Sequence, residues 1–115
     1  MRVLVCGGRA FDDHFLLAIT MESVRETRNI SMLIAGGASG ADTMAEECAK
    51  SRAIDCVVFH ADWVGLSRAT EPIRNQRILD EGKPDLVVAF PGGRGTADMM
   101  RKARAAGVEV IEVGA

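Results

Sequence analysis

The chain has 115 residues, of which 48% are apolar and 26% charged, with 12 glycines and a formal charge of −2. That length suits one domain, residues 1–115, able to bury a core without disulfides or a structural metal, and the composition excludes a disordered or fibrous chain. The small negative charge supplies no global basic field, which speaks against sequence-independent binding to nucleic acid.

Met1 to Cys6, "MRVLVC", is a short apolar run that stops at Gly7-Gly8 and predicts a strand buried on both faces. It is too short for a signal-peptide core or a membrane span, so a cytoplasmic chain with no membrane partner is expected. Asp12 or Asp13 caps the next helix, in which Leu17, Met21 and Val24 recur at spacings of four and three, and which ends near Arg28-Asn29. Ser31 to Ala35, "SMLIA", is a second strand running into "GGASGAD"; Ala41, Met44, Ala45, Cys48 and Ala49 then form one apolar stripe of a helix. Ser39 and Asp42 stand three apart at its start, a short-armed capping box. Ile54 to Phe59 gives the third strand, and "HADWVGLSRAT" a loop without periodicity.

Thr70 caps a third helix with Pro72 in its first turn, ending around Gly82. Asp85 to Phe90 is the fourth strand. Thr96 starts the last helix, with Met99, Met100, Ala103 and Ala106 toward the core and Arg101, Lys102 and Arg104 toward its negative end. Val108 to Val113 alternates apolar with acidic and reads as a half-wet edge strand. Cys6, Cys48 and Cys56 are odd in number and form no CxxC, which predicts neither a disulfide framework nor a metal site. The methionines at helical spacing read as core filler.

Strand and helix alternate throughout, so the fold class is α/β: a five-stranded parallel sheet with helices on both faces. Three strands end in glycine turns, "GGRAF", "GGASGAD" and "PGGRGT", and all such turns lie at the carboxyl edge of the sheet. The order 3-2-1-4-5 makes them neighbours, whereas 2-1-3-4-5 inserts a strand between the first and the fourth. The first order is expected, because it gathers every unusual backbone feature into one site.

Such a site suits a phosphate, which accepts from N–H groups at the start of a helix. Dipole attraction at an exposed terminus contributes only about 0.3–1 kcal/mol, so several N–H bonds and side chains must act together. The expected ligand-binding residues are Gly7, Gly8 and Arg9 in the first turn, Gly36, Gly37, Ser39 and Gly40 in the second, and Pro91, Gly92, Gly93, Arg94, Gly95 and Thr96 in the third. There is no GxGxxG after the first strand and no P-loop lysine in "GGRGT", so neither an ordinary NAD dehydrogenase nor an NTPase is indicated.

In "EPIRNQR", Arg74 and Arg77 share a helix face at a start where the dipole disfavours cations, and Asn75 is placed toward the sheet. A bound anion, or salt bridges to Glu71 and Asp80, would compensate; Arg74, Asn75 and Arg77 join the candidate site on the first reading. Asp42 is placed to accept from a ribose hydroxyl or to complement its own helix dipole. Asp98 complements the dipole of the last helix, and Asp42 and Asp98 are the residues that would act as catalytic acid or base in an enzyme. His60, Asp62 and Trp63 follow the third strand; Trp63 reads as packing over the sheet rim, His60 is an acid or base by chemistry alone, and His14 is solvated.

With "VLVCGGRAFDD", "LIAGGASGADTMAEECA" and "PIRNQRILDEGKPDLVVAFPGGRGT" in this order, the chain resembles the SLOG superfamily, in particular its small YspA-like, YpsA-related branch. More distant relatives include the Lonely guy phosphoribohydrolases, the molybdenum cofactor carrier proteins and the DNA-processing protein DprA. The resemblance implies a single Rossmann-like domain that binds nucleotides or nucleotide-derived ligands at the glycine loops. Lonely guy enzymes resemble PGGxGTxxE here, and their glutamate takes part in cleaving base from ribose 5-phosphate. This chain has Met99 at that position, and a thioether is neither acid nor base. It also has "TEPIRN" where the branch resembles "AGPIRN", which sets Glu71 near the expected phosphate.

Three functions follow. The first is a module that binds a phosphoribosyl- or ADP-ribosyl-containing small molecule as sensor, store or carrier, with no required cofactor. The second is an N-glycosidic hydrolase using Asp42 or Asp98; the third is an interaction protein without a ligand. The relatives and the open last-strand edge allow a homodimer, which no periodic interface signal requires.

Overall fold

A computed structural model of the chain describes residues 1–37, 40–59 and 70–114, the side chains of residues 70 and 71 excepted. The elements are β1 (Arg2–Cys6), α1 (His14–Thr27), β2 (Met32–Ala35), α2 (Ala41–Ser51), β3 (Cys56–Val58), α3 (Thr70–Arg77) running into a π-helical turn (Ile78–Gly82), β4 (Leu86–Ala89), α4 (Arg94–Ala105) and β5 (Glu109–Glu112). All strands pair in parallel, in the order β3-β2-β1-β4-β5. β1 is central, with Leu4 opposite Ile34 on one side and Val87 on the other.

The sheet buries both faces because its inner strands carry apolar residues without a polar break. Val3, Val5, Leu33, Leu86 and Val88 pack with Leu17, Met21 and Val24 of α1 and Met44, Ala45 and Cys48 of α2. Leu4, Ile34 and Val87 point the other way and pack with Ile78, Met99 and Ala103. Helices thus cover both faces, α1 and α2 on one and the α3 extension with α4 on the other. Met21, Met44 and Met99 are core residues, whereas Met1 is exposed.

Element ends differ from the sequence reading where helix termini take residues from neighbouring strands. Ile54 does not enter β3: its N–H closes the end of α2 on the Ala49 carbonyl, after Ala53 has taken a positive φ of 53°. Val108 likewise donates to Ala103 at the end of α4, so β5 begins one residue later. Asp13, not Asp12, caps α1, its carboxylate accepting from Leu16 N–H at 2.9 Å. Gly40 stands at the N-cap position of α2, and α4 starts at Arg94, with Thr96 buried inside its first turn. Ser39, His60, Asp62 and Trp63 lie outside the described residues.

β5 forms an open edge whose ends carry Glu109 and Glu112, paired with Arg28 and Arg104. Charges there blunt strand addition, so this edge by itself gives the expected homodimer little support. No described helix is long and apolar enough to cross a membrane.

Candidate functional site

The three glycine turns meet at the carboxyl edge, and their glycines let backbone touch backbone. Gly8 donates to the Pro91 carbonyl at 2.9 Å, and its own carbonyl accepts from Phe11 (3.2 Å) and Ala41 (3.4 Å). The first turn is therefore wedged between the other two. A Cβ at Gly7 would lie 2.6 Å from that of Ala41, and one at Gly92 would lie 2.6 Å from the Gly8 nitrogen. Gly40 combines φ of +75° with a Cβ direction that runs into the Gly8 carbonyl oxygen, so only glycine fits there.

These contacts distinguish the three helix starts. At α1 the Asp13 carboxylate occupies the terminus, and at α2 the Gly8 carbonyl faces the first amide. α4 is different. Its cap, Gly93, has no side chain to turn back, and the first intrahelical bond runs from Ala97 to the Gly93 carbonyl at 3.1 Å. The amides of Arg94, Gly95 and Thr96 stand ahead of that bond and have no partner among the described residues. A Cβ built at Gly93 meets nothing within 4 Å.

A cavity of about 960 Å³ opens over this terminus. It is lined by Gly7, Gly8 and Arg9 of the first turn, Asp42 of α2, Arg74 and Asn75 of α3, and Gly93, Arg94, Gly95, Thr96 and Asp98 of α4. Of the other residues expected at the site, Gly36 lies beneath Arg74, Gly40 and Gly92 are spent on packing between turns, and Pro91 supplies the carbonyl that holds Gly8. Neither these four nor Gly37 lines the cavity. Arg77 does not line it either. Its guanidinium pairs with Glu81 at 2.9 Å and lies 5.3 Å from the centre of the Phe59 ring. The three-residue spacing suggested one shared task for Arg74 and Arg77, but the helix turns them to different neighbours.

Cys6, Pro72, Ala97, Met99 and Arg101 also line the cavity and were not foreseen. Arg101 had a signal in the sequence: it stands seven residues after Arg94, two turns along one face of α4. Cys6 is the last residue of β1. Burial pushes its thiol up to about 12, the Asp42 charge adds to the rise and the Arg74 charge opposes it. The thiol is therefore neutral at ordinary pH and a poor nucleophile.

Arg74 and Asp42 meet over Gly36, where a Cβ would lie 2.5 Å from Arg74 Nη1 and 3.0 Å from Asp42 Oδ2. Arg74 Nη1 donates to the Gly36 carbonyl at 2.8 Å. Asp42 is 5% exposed. Asn75, 2% exposed, donates to the Gly95 carbonyl (3.1 Å) and to Asp98 Oδ2 (3.0 Å). Asp98 also accepts from Lys102 at 2.9 Å and pairs with Arg101. Burial raises its pKa, but the hydrogen bonds from Lys102 and Asn75 and the charges of Lys102 and Arg101 outweigh that and hold it below the usual carboxylate value. Among the described residues no three His, Cys, Asp or Glu side chains are grouped to hold a metal.

Residues 1–64 match the YAcAr family, described as the YspA, cpYpsA-related SLOG family. The chain belongs to that SLOG family. The match takes in the first two glycine turns, so the α4 turn and the "PIRN" helix of this SLOG chain lie beyond it. The comparison with curated proteins found no match. Among solved structures, the chain is similar to the UDP-GlcNAc 2-epimerase of Neisseria meningitidis bound to UDP-GlcNAc (TM-score 0.58, 16% identity, 100% of this chain, 32% of that one). It is similar to DprA of Streptococcus pneumoniae (TM-score 0.56, 16% identity, 96% of this chain, 58% of that one) and to the UDP-GlcNAc 2-epimerase of Methanocaldococcus jannaschii (TM-score 0.53, 16% identity, 100% and 32%). This SLOG chain thus spans about a third of the epimerases and less than two thirds of DprA. At such identities the likeness is one of Rossmann-like fold.

Proposed function

We propose that this SLOG domain binds a nucleotide-derived small molecule carrying a phosphoribosyl or ADP-ribosyl group, as a sensing, sequestering or carrier module. The observation that carries the reading is the α4 terminus, whose amides open without partners onto a cavity roomy enough for a nucleotide. An anion accepts there from the amides of Arg94, Gly95 and Thr96, with Arg9, Arg94 and Arg101 supplying guanidinium charge around it. The Asp42 carboxylate accepts from a ribose hydroxyl, and Arg74 closes the same end. Bound UDP-GlcNAc in the Neisseria epimerase is a nucleotide-derived ligand on a similar fold, which is consistent with this reading as an analogy.

Hydrolysis of an N-glycosidic bond fits less well. The position of the Lonely guy glutamate is Met99, which borders the cavity but carries a thioether that is neither acid nor base. Asp98 is held ionised by Lys102 and Asn75, so at neutral pH it has no proton to donate. The deciding experiment is the mass spectrum of small molecules released on denaturing protein purified without added nucleotide, together with titration by AMP and ADP-ribose. A nucleotide-derived ion, or saturable binding without base release, supports the module. Release of base that stops with Asp42→Asn replaces it with the hydrolase, and no ligand in either experiment sinks the reading.

A further inference from the structure

We propose that Asn75 is a positioning residue for the anion-binding turn of α4, not a contact for the ligand, and that with Arg74 it sets the spacing between the two halves of the site. The inference rests on the reading above, that an anion occupies the α4 terminus. Asn75 belongs to the cavity wall, yet both of its N–H donors and one lone pair of its oxygen are engaged by protein. One side-chain amide has two N–H donors and one carbonyl oxygen. Both donors are engaged, by the Gly95 carbonyl at 3.1 Å and by Asp98 Oδ2 at 3.0 Å, and the oxygen accepts from Arg74 Nε at 3.3 Å.

The partners explain what the residue does. Gly95 lies in the turn whose amides stand open, and Asp98 lies in the next turn, so one side chain from α3 grips both turns of α4 from the side. Asp98 is fixed in turn by Lys102, whose ammonium also donates to the Pro72 carbonyl of α3 at 2.8 Å. Two ties that share Asp98 therefore hold α3 against α4, one through Asn75 and one through Lys102. Arg74, the preceding residue, reaches in the opposite direction, to the Gly36 carbonyl after β2. The series Gly36, Arg74, Asn75, Gly95 spans from the turn after β2 to the turn after β4, across the β1 turn between them. The distance from Asp42 to the open amides is thereby fixed by two adjacent side chains. A ligand that joins an anion to a hydroxyl at that distance is gripped at both ends without reorganising the site, and pre-positioned groups of this kind bind more tightly because their ordering is already done.

The test compares wild-type protein with Asn75→Asp, close in shape but unable to donate, and with Asn75→Ser, too short to reach both acceptors. AMP and inorganic phosphate are the probes, followed through the amide resonances of Gly95 and Thr96. Wild type is expected to show saturable shifts at those amides. Each variant is expected to show displaced Gly95 and Thr96 resonances before any probe is added and to lose affinity for AMP by at least about tenfold, the scale of one lost hydrogen bond to a charged group. Val24→Ala, a core truncation on the opposite face of the sheet, is the control: it lowers the melting temperature but leaves AMP affinity unchanged. Where Asn75→Asp does not fold, Asn75→Ser carries the comparison. Wild type that shifts at these amides, with variants binding equally well, overturns the inference alone. Lost affinity with Gly95 and Thr96 unmoved in the free variant also overturns it, because that is the behaviour of a direct contact. Wild type whose Gly95 and Thr96 amides respond to neither probe overturns the anion reading and this inference together.

Discussion

The turns after β2 and β4 start from similar sequences, "GGASGAD" and "PGGRGTAD", and lead into helices of 11 and 12 residues. Their surroundings make them opposites. The β2 turn is closed from two sides, by the Gly8 carbonyl facing Ala41 and by the Arg74 guanidinium lying on Gly36. The β4 turn holds Gly8 through Pro91 at its near end and leaves its helix terminus facing the cavity. Glycine in the first therefore serves contact within the chain, and at Gly93 it serves access from outside. A glycine-rich turn says that something comes close to the backbone. What comes close is decided by the neighbouring strand.

This contrast can be broken at one glycine on each side. Gly40→Ala is expected to cost about 3 kcal/mol or more, since a conformation reserved for glycine is forced on an L side chain that also overlaps the Gly8 carbonyl; a melting temperature equal to wild type would show the turn to be loosely held. Gly93→Val is expected to do the reverse. A Cβ there meets no protein atom within 4 Å, so stability is expected to stay within about 1 kcal/mol of wild type, while added bulk at the α4 cap is expected to lower AMP affinity by roughly a hundredfold, the loss of about two hydrogen bonds to a charged group. Normal binding by Gly93→Val would remove the α4 terminus from the site.

Arg74→Met sharpens the comparison, because the same guanidinium closes one turn and faces the ligand cavity. Losing its bond to the Gly36 carbonyl is expected to cost about 1.5 kcal/mol of stability in chemical denaturation, with a matching loss in ligand affinity. Loss of stability with affinity intact would confine Arg74 to the closed turn. The smallest effect lies in the pH dependence. The Asp98 carboxyl is depressed in the fold, so its contribution is present above the ordinary value of 3.8 and disappears as pH falls through the folded value; Asp98→Asn should flatten the acid limb of the stability curve. Cys6 has the opposite sign. Its raised thiol contributes below the ordinary value of 9.0 and loses that contribution as pH climbs toward about 12, so an alkylating reagent at pH 8 should modify exposed Cys56 while sparing Cys6.

Much of the fold was legible because its signals are local. Runs such as "VLVC" and "LVVA" carry no polar break and read as inner strands, three helices announce themselves by apolar spacing, and α3 by Thr70 and Pro72 at its start. The strand order came from one further step, that the three glycine turns should meet. Element ends were less legible, since Ile54 and Val108 are apolar enough for a strand but their amides are taken by the preceding helix. Within the site, periodicity placed Asn75 toward the interior but could not name Gly95 and Asp98 as its partners, 20 and 23 residues away. It joined Arg77 to Arg74 by spacing alone, while Arg101 was assigned to a helix dipole although it lines the cavity.

What the sequence by itself determined was therefore the alternating α/β architecture, the edge at which the special turns gather, and the kinship with the SLOG family, because these depend on residue type, period and motif. Only the tertiary structure decided which turn is open. Openness is a property of neighbours distant in the chain: the Gly8 carbonyl reaches Ala41, the Arg74 guanidinium reaches Gly36, and no described group reaches the amides that begin α4.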